Sequence, residues 1–204
     1  MYVILGATGN TGSIVAETLL AKGEKVRAVG RNKERLAALA SKGAEVFEGD
    51  ISDSATLTRG FAGARAVYFM LPPDRTSTDY RAHQDRITDA GAAALEAARV
   101  RYVVTLSSFG ADQESGTGPV VGLHNMESRF ARISGLNALH LRAGYFMENT
   151  LPQVGVIQNF GMMAGPVRGD LPLPMIATRD IGAAAAAALL KLDFSGQQTR
   201  ELLG

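Results

Sequence analysis

The chain has 204 residues, 46% of them apolar and 20% charged, enough for one domain with a sizeable core and short for two. Its formal net charge of +1 gives no electrostatic footprint for nucleic acid, and the absence of cysteine excludes disulfides, thiolate metal sites and a cysteine nucleophile. The longest apolar run, 181–190, is mostly alanine and too short for a bilayer; with a strand opening at Tyr2, no signal peptide and a cytoplasmic location are expected.

Strand and helix signals then alternate. An apolar run over 2–5 leads into Gly6, and an amphipathic pattern follows over 14–20. A strand is expected at 26–29, a helix at 33–41, and a strand at 45–48 after Gly43. Next come a short helix at 53–61 capped by Ser52 or Asp53, and a strand at 66–71 stopped by Pro72-Pro73. An alanine-rich helix over 80–99, a strand at 102–106 closed by Ser107-Ser108, a helix at 124–134 and a strand at 138–141 complete the series. Beyond Arg142 the alternation loosens as glycine and proline recur from Pro152 to Pro174, Pro166 among them. A helix returns at 180–191, capped by Asp180, with a short strand at 200–203.

Repeated βα units predict an α/β fold, a Rossmann-type doubly wound parallel sheet with helices on both faces. The strands at 3–5, 66–70 and 102–106 are apolar at consecutive positions, as strands buried on both sides read. Residues 1–144 are read as a Rossmann domain. Residues 145–204 are read as a small substrate-side region packed on the same domain.

The first turn carries the chemistry. Gly6-Ala7-Thr8-Gly9-Asn10-Thr11-Gly12 lies between the first strand and the first helix, where a mononucleotide-binding unit needs its glycines. One glycine permits the tight turn, one lets backbone N–H groups approach a pyrophosphate, and one lets helix and strand pack closely. The helix N-terminus supplies unpaired donors, and Asn10 and Thr11 are suitable caps. An acid about 20 residues further on would hold the ribose hydroxyls of NAD. Here the second strand ends Gly30-Arg31-Asn32-Lys33, with no acid before Glu34. Arg31, with Lys33 or Arg35, can instead meet a 2′-phosphate, which predicts NADP(H) over NAD(H). A solvated charge at a helix start is the alternative, and the safer one for Arg35. Asp50 and Ile51 lie where adenine sits in such folds, Asp50 accepting from the amine and Ile51 packing on the ring. A capping turn through Asp50, Ser52 and Asp53 is compatible with that role.

Two residues separate the first pair of glycines, a spacing that resembles the extended and atypical short-chain dehydrogenase/reductases. Most members of that superfamily use a Tyr-x-x-x-Lys pair, in which lysine lowers the tyrosine pKa. Here the residues four places after Tyr2, Tyr68, Tyr80, Tyr102 and Tyr145 are Gly6, Pro72, Gln84, Leu106 and Asn149, so the dyad is absent. Further stretches, among them Gly30-Arg31-Asn32, Leu71-Pro72-Pro73, Thr105-Leu106-Ser107-Ser108, the run from Leu141 to Asn149, and Arg179-Asp180-Ile181-Gly182, narrow the likeness. The chain resembles the NmrA-like branch, which includes NADPH:quinone reductases and NADP-sensing regulators.

The resemblance implies that Met70, Leu71 and Pro72 line the cofactor near its ribose and nicotinamide. It also implies that a residue opening the helix before the sixth strand, here His124, faces the nicotinamide ribose as the catalytic candidate. Ser107 stands where related enzymes place a catalytic serine; without the tyrosine it is read as a polar cofactor contact. Of the other histidines, His83 is read as solvent-facing and His140 as structural. Tyr145 and Phe146, at the carboxyl edge of the sheet, could wall a flat substrate, core packing being equally open for Phe146. Family members often carry a longer C-terminal part, so the pocket is expected to be incomplete. No metal site is read.

Two functions fit. One is an NADPH-dependent reductase of a quinone or similar conjugated acceptor, a small molecule that needs only a weak general acid. The other is a non-catalytic NADP(H)-sensing regulator acting through a protein partner; against it, no exposed apolar run or charged tail is evident in the sequence.

Overall fold

Tyr2, Val3, Ile4 and Leu5 are all fully shielded from solvent. Successive strand side chains point to opposite faces, so four buried apolar residues in a row need cover on both sides. The computed structural model, which describes every residue except Arg75, Ala164 and Pro166, supplies that cover. The first half of the chain runs β1 (Tyr2–Leu5), α1 (Asn10–Ala21), β2 (Val26–Gly30), α2 (Ala37–Ala40), β3 (Glu45–Glu48), α3 (Ser54–Phe61) and β4 (Ala66–Phe69). It continues through α4 (Tyr80–Ala97), β5 (Tyr102–Ser108), α5 (Val121–Phe130), β6 (Asn137–Ala143) and the short β7 (Tyr145–Phe146). Then come α6 (Gln153–Phe160), β8 (Met175–Ile176), α7 (Thr178–Lys191) and β9 (Gln197–Leu202).

Seven strands form one parallel sheet in the order β3-β2-β1-β4-β5-β6-β9. Tyr2 and Ile4 join Tyr68, Val104, Leu139 and Leu141 beneath α1 and α7. Val3 and Leu5 join Val67, Phe69 and Val103 beneath α3, α4 and α5. The strand order reverses between β1 and β4, and in open sheets of this kind ligands sit at the carboxyl ends beside that reversal. Residues after 176 rejoin the main body, since α7 packs on α1 and β9 pairs with β6. β7 and β8 form a separate two-stranded ribbon, Tyr145 opposite Met175. Among the described residues no helix is long and apolar enough to cross a membrane.

Several local expectations are corrected. The helix expected over 33–41 is a 3-10 turn, Glu34–Leu36, and a single turn of α2. Asn32 Oδ1 accepts from the Arg35 backbone at 3.0 Å and tightens that turn. β4 ends at Phe69, so Leu71 is not strand, whereas β5 continues through Ser107 and Ser108, paired with Arg142 and Ala143. The helix before β6 starts at Val121 after a 3-10 turn opened by Pro119, so His124 lies within α5 and does not open it. α7 starts at Thr178 with Ala177 at its N-cap position, not Asp180, which sits in the first turn where the helix dipole favours its charge. The Thr178 backbone and hydroxyl donate instead to Glu148, at 3.0 and 2.7 Å. Burial opposes ionisation of Glu148, but the Thr178 hydrogen bonds prevail and hold it below the usual carboxylate range.

α6 lies where only a loosened loop region is expected, because Pro152 and Gly155 read as breakers. Its apolar residues point outward: Val154, Ile157 and Phe160, three apart, are 48%, 45% and 71% exposed, and Leu151 just before the helix is 64% exposed. The expectation of no exposed apolar run is therefore overturned. Pro166 lies outside the described residues.

Candidate functional site

The turn after β1 has the geometry its glycines imply. Gly6 adopts φ +63°, and a Cβ there would come within 2.8 Å of the Met70 sulfur. Its carbonyl accepts from the Gly9 N–H at 2.8 Å. A Cβ on Gly12 would overlap that same Gly6 carbonyl, so the helix can approach the strand this closely only without a side chain. The N-cap of α1 is Gly9, with no side-chain cap, which corrects the expectation for Asn10 and Thr11. Thr11 is buried, and its hydroxyl accepts from Tyr68 at 2.9 Å. Burial pushes the Tyr68 phenol up against the smaller opposing effect of that bond, so it remains a neutral donor. Among the described residues the backbone N–H groups of Asn10, Thr11 and Gly12 have no backbone acceptor, and the first turn of α1 carries no acid. Three free donors on a positive helix end, approached across glycine and the exposed Thr8, fit a pyrophosphate.

Arg31 stands at the end of β2, exposed, with no ion pair or hydrogen bond among the described residues. It borders two cavities. One, of about 560 Å³, is shared with Asn32, Lys33 and Glu48. The other, of about 400 Å³, lies between the loops after β3 and β4 and holds Asp50, Ile51, Pro72, His83 and Ile87. Asp50 Oδ1 accepts from the Ser52 backbone and hydroxyl, both at 2.9 Å, while Asp53 caps α3. The capping turn therefore forms and leaves the second oxygen of Asp50 unused. His83 is not solvent-facing as expected: it is half-buried, and its Nε2 is shielded from solvent without a partner.

At the other end, Tyr145 lines a cavity of about 440 Å³ with Asn149, Gln153, Leu171, Leu173 and Met175. Tyr145 also lines an adjoining cavity of about 260 Å³ with Ser108, Phe109, Gly144 and Phe146. Ser108, not Ser107, faces this space. Ser107 is buried and its hydroxyl donates to Glu127 at 2.5 Å. Glu127 also accepts from Arg142, at 3.2 and 2.7 Å. His124 borders neither cavity. Its Nδ1 lies 2.9 Å from the Ala111 carbonyl, which can only accept, so the neutral ring carries its proton on Nδ1. Nε2, 3.5 Å from the Ser128 hydroxyl, is then an acceptor. Donation from that nitrogen requires imidazolium.

His140 is buried mid-strand, 2.8 Å from the Thr105 hydroxyl. Burial holds its pKa below 6.5, against a raising effect of Glu127 and of a hydrogen bond with Gln197. The unfolded chain therefore takes up a proton first as pH falls through about 6.5. His140 contributes stability above that pH which is lost below it, down to the lowered folded value. The expected result is a melting temperature that falls between pH 7 and 5, with a shallower fall in His140→Gln; identical slopes would show that His140 takes up protons alike in both states.

Sequence reasoning missed His83, Ile87, Asn149, Leu173 and Met175. The first two lie on the polar-looking half of α4, and the others are brought to Tyr145 by a turn and the β7–β8 pairing, which leave no periodic signal.

Comparison with known proteins bears on this geometry. The profile of a family described as NAD(P)H-binding matches residues 6–191. A (4-alkanoyl-5-oxo-2,5-dihydrofuran-3-yl)methyl phosphate reductase of Streptomyces griseus is 32% identical over 97% of this chain and 66% of its own length. An NmrA-like family domain-containing oxidoreductase of Penicillium ochrochloron is 31% identical over 76% of this chain and 50% of its own length. The Escherichia coli NADPH-dependent quinone oxidoreductase QOR2, solved with NADPH, superposes with a TM-score of 0.84 at 28% identity, covering 100% of this chain and 69% of that one. The chain thus spans about two thirds or less of the length of these curated relatives. With its glycine turn, its parallel sheet and the match over nearly its whole length, the chain belongs to the NAD(P)H-binding family, in the NmrA-like branch of the atypical short-chain dehydrogenase/reductases.

Proposed function

We propose that the chain is an NADPH-dependent reductase of a quinone or similar conjugated acceptor, residues 1–144 holding the cofactor and residues 145–176 forming the substrate side, whereas the remainder of the region read from the sequence as 145–204 belongs to the main sheet and its helical cover. The observation that carries this is the apolar space beside Tyr145 at the carboxyl edge of the sheet, with Phe146, Leu173 and Met175, in a chain without Tyr-x-x-x-Lys. NADPH, when bound, supplies a hydride. The residues of this chain bind and orient: free donors of α1 for the pyrophosphate, Arg31 for the 2′-phosphate, Met70, Leu71 and Pro72 beside the ribose, and Tyr145 and Phe146 against a flat acceptor. A quinone spreads incoming charge over ring and oxygens and so tolerates water as a weak acid, His124 lying away from both cavities. The similarity to a quinone oxidoreductase supports the same reading.

One observation favours a second reading, a non-catalytic NADP(H) sensor with a protein partner. The outward apolar stripe of α6 is the kind of surface a partner covers. Loss of NADPH absorbance with a panel of quinones separates the two. Saturable turnover supports the reductase. No turnover by protein that binds NADPH, as shown by quenching of cofactor fluorescence, overturns it in favour of the sensor.

A further inference from the structure

We propose that the acceptor this protein reduces carries an anionic group at the end of an apolar substituent, and that Arg168 receives that group. The inference rests on the reductase reading above and goes beyond it in naming the charge of the substrate and the residue that selects it.

The space beside Tyr145 has two parts, which share Tyr145, Asn149 and Leu173 as common wall. The smaller, about 260 Å³, lies against the ends of β5 and β6 through Ser108 and Ala143, on the sheet edge where ligands sit in open folds of this kind. The larger, about 440 Å³, is walled by α6 and by the segment between α6 and β8. A flat ring in the smaller part therefore points a substituent into the larger one.

The walls say what that substituent is. Met163, Val167, Leu171 and Met175 give the larger part an apolar lining, suited to an alkyl chain. Among the described residues Arg168 is the one charged side chain bordering either part, and no carboxylate borders them. A lone positive charge beside apolar walls favours an anion and disfavours a cation. Arg168 is paired with Asp170, to which Nε and Nη2 donate at 3.0 and 2.5 Å. That pair does not close the site. Asp170 borders neither part, and the two side chains are 81% and 68% exposed, so solvent weakens their attraction and the pair yields readily. The pair also uses only one edge of the planar fork, so Nη1 can meet a carboxylate or phosphate oxygen from the other. Arg168 acts on binding alone: the acceptor takes a hydride from NADPH and a proton from water, giving hydroquinone and NADP+.

The test is NADPH-dependent reduction of three benzoquinones that share one ring and one hexyl chain and differ only at the chain's end, as hydroxyl, carboxylate or trimethylammonium. A common ring gives all three the same intrinsic reactivity. Wild type is expected to prefer the carboxylate over the hydroxyl by about fivefold in kcat/KM, chiefly through KM, and to use the trimethylammonium form least. Arg168→Gln should abolish that order, lowering the carboxylate-to-hydroxyl ratio about five- to tenfold, and Arg168→Lys should keep part of it. Asp170→Asn frees the guanidinium and should raise the ratio about twofold. Added salt should shrink the wild-type preference and leave Arg168→Gln nearly unmoved. Equal use of the three acceptors by wild type, or one common factor for all three in Arg168→Gln, overturns the proposal and leaves the reductase reading standing. Protein that binds NADPH, as shown by cofactor fluorescence, and reduces none of them overturns the reductase reading and this proposal with it.

Discussion

Arg31→Ala is expected to weaken NADPH binding by about 1.5–2 kcal/mol, roughly 10- to 30-fold, and to leave NADH within about twofold. A guanidinium meets a phosphate with two parallel donors, and charge-assisted bonds of this kind are the stronger class. The lower part of that range applies because Arg31 is exposed and solvent screens it. Its lack of any partner among the described residues matters as much: no intramolecular pair must break before a phosphate is bound. Arg31→Lys keeps the charge without the fork and should fall between the two. Titration of each protein with NADPH and NADH at two salt concentrations checks this. Raising the salt should narrow the wild-type preference and leave the alanine variant nearly unmoved. Unchanged selectivity in the alanine variant would place 2′-phosphate recognition elsewhere, with Lys33 the next candidate on the same cavity.

What was legible in the sequence was what is local. Gly6, Gly9 and Gly12 carry their geometry in their spacing, because turn, approach and packing all concern residues within one βα unit. The buried strands read directly, because a strand covered on both faces has no polar alternation to hide it. Asp53 was found because a cap lies beside the helix it caps. Misreadings arose where a distant residue took over a local role. Asp180 is the better cap by type, yet Glu148, thirty residues earlier, engages Thr178 and fixes the start of α7. His83 sits in a polar stretch of α4, and only the loops after β3 and β4 turn that face inward. α6 failed for a different reason: its apolar side chains lie largely exposed, and Pro152 and Gly155 argued for a loop. At the candidate site the proposed cofactor half lies in one contiguous motif and the ends of β2, β3 and β4, so it could be named. The proposed substrate half is assembled by the β7–β8 ribbon, whose two strands are about thirty residues apart and two residues long.

The Glu127–Arg142 pair was invisible for the same reason, a charge on a helix and a charge on a strand fifteen residues apart. Replacing Glu127 by alanine is expected to cost about 3 kcal/mol, at the lower end of the range for breaking a buried pair. The carboxylate and guanidinium side chains are only 10% and 17% exposed, and the carboxylate is shared with Ser107. Removing it strands a largely desolvated cation on β6 and leaves the buried Ser107 hydroxyl without its acceptor. In the wild type the hydrogen bond to Glu127 raises the Arg142 pKa; without it the guanidinium is still too basic to shed its proton, so neutralisation offers no escape. Glu127→Leu combined with Arg142→Met removes both charges and should recover most of the loss, because a well-filled apolar replacement avoids two desolvation costs. Urea unfolding of the single and double variants measures this. A single-variant loss under about 1 kcal/mol would mean that water reaches Arg142 readily once its partner is gone. The expected larger loss carries a consequence for the site. Ser107 precedes Ser108, the last residue of β5, and Phe109, which border the cavity of Tyr145, so the double variant, stable but without this anchor, should bind NADPH normally while losing affinity for the acceptor.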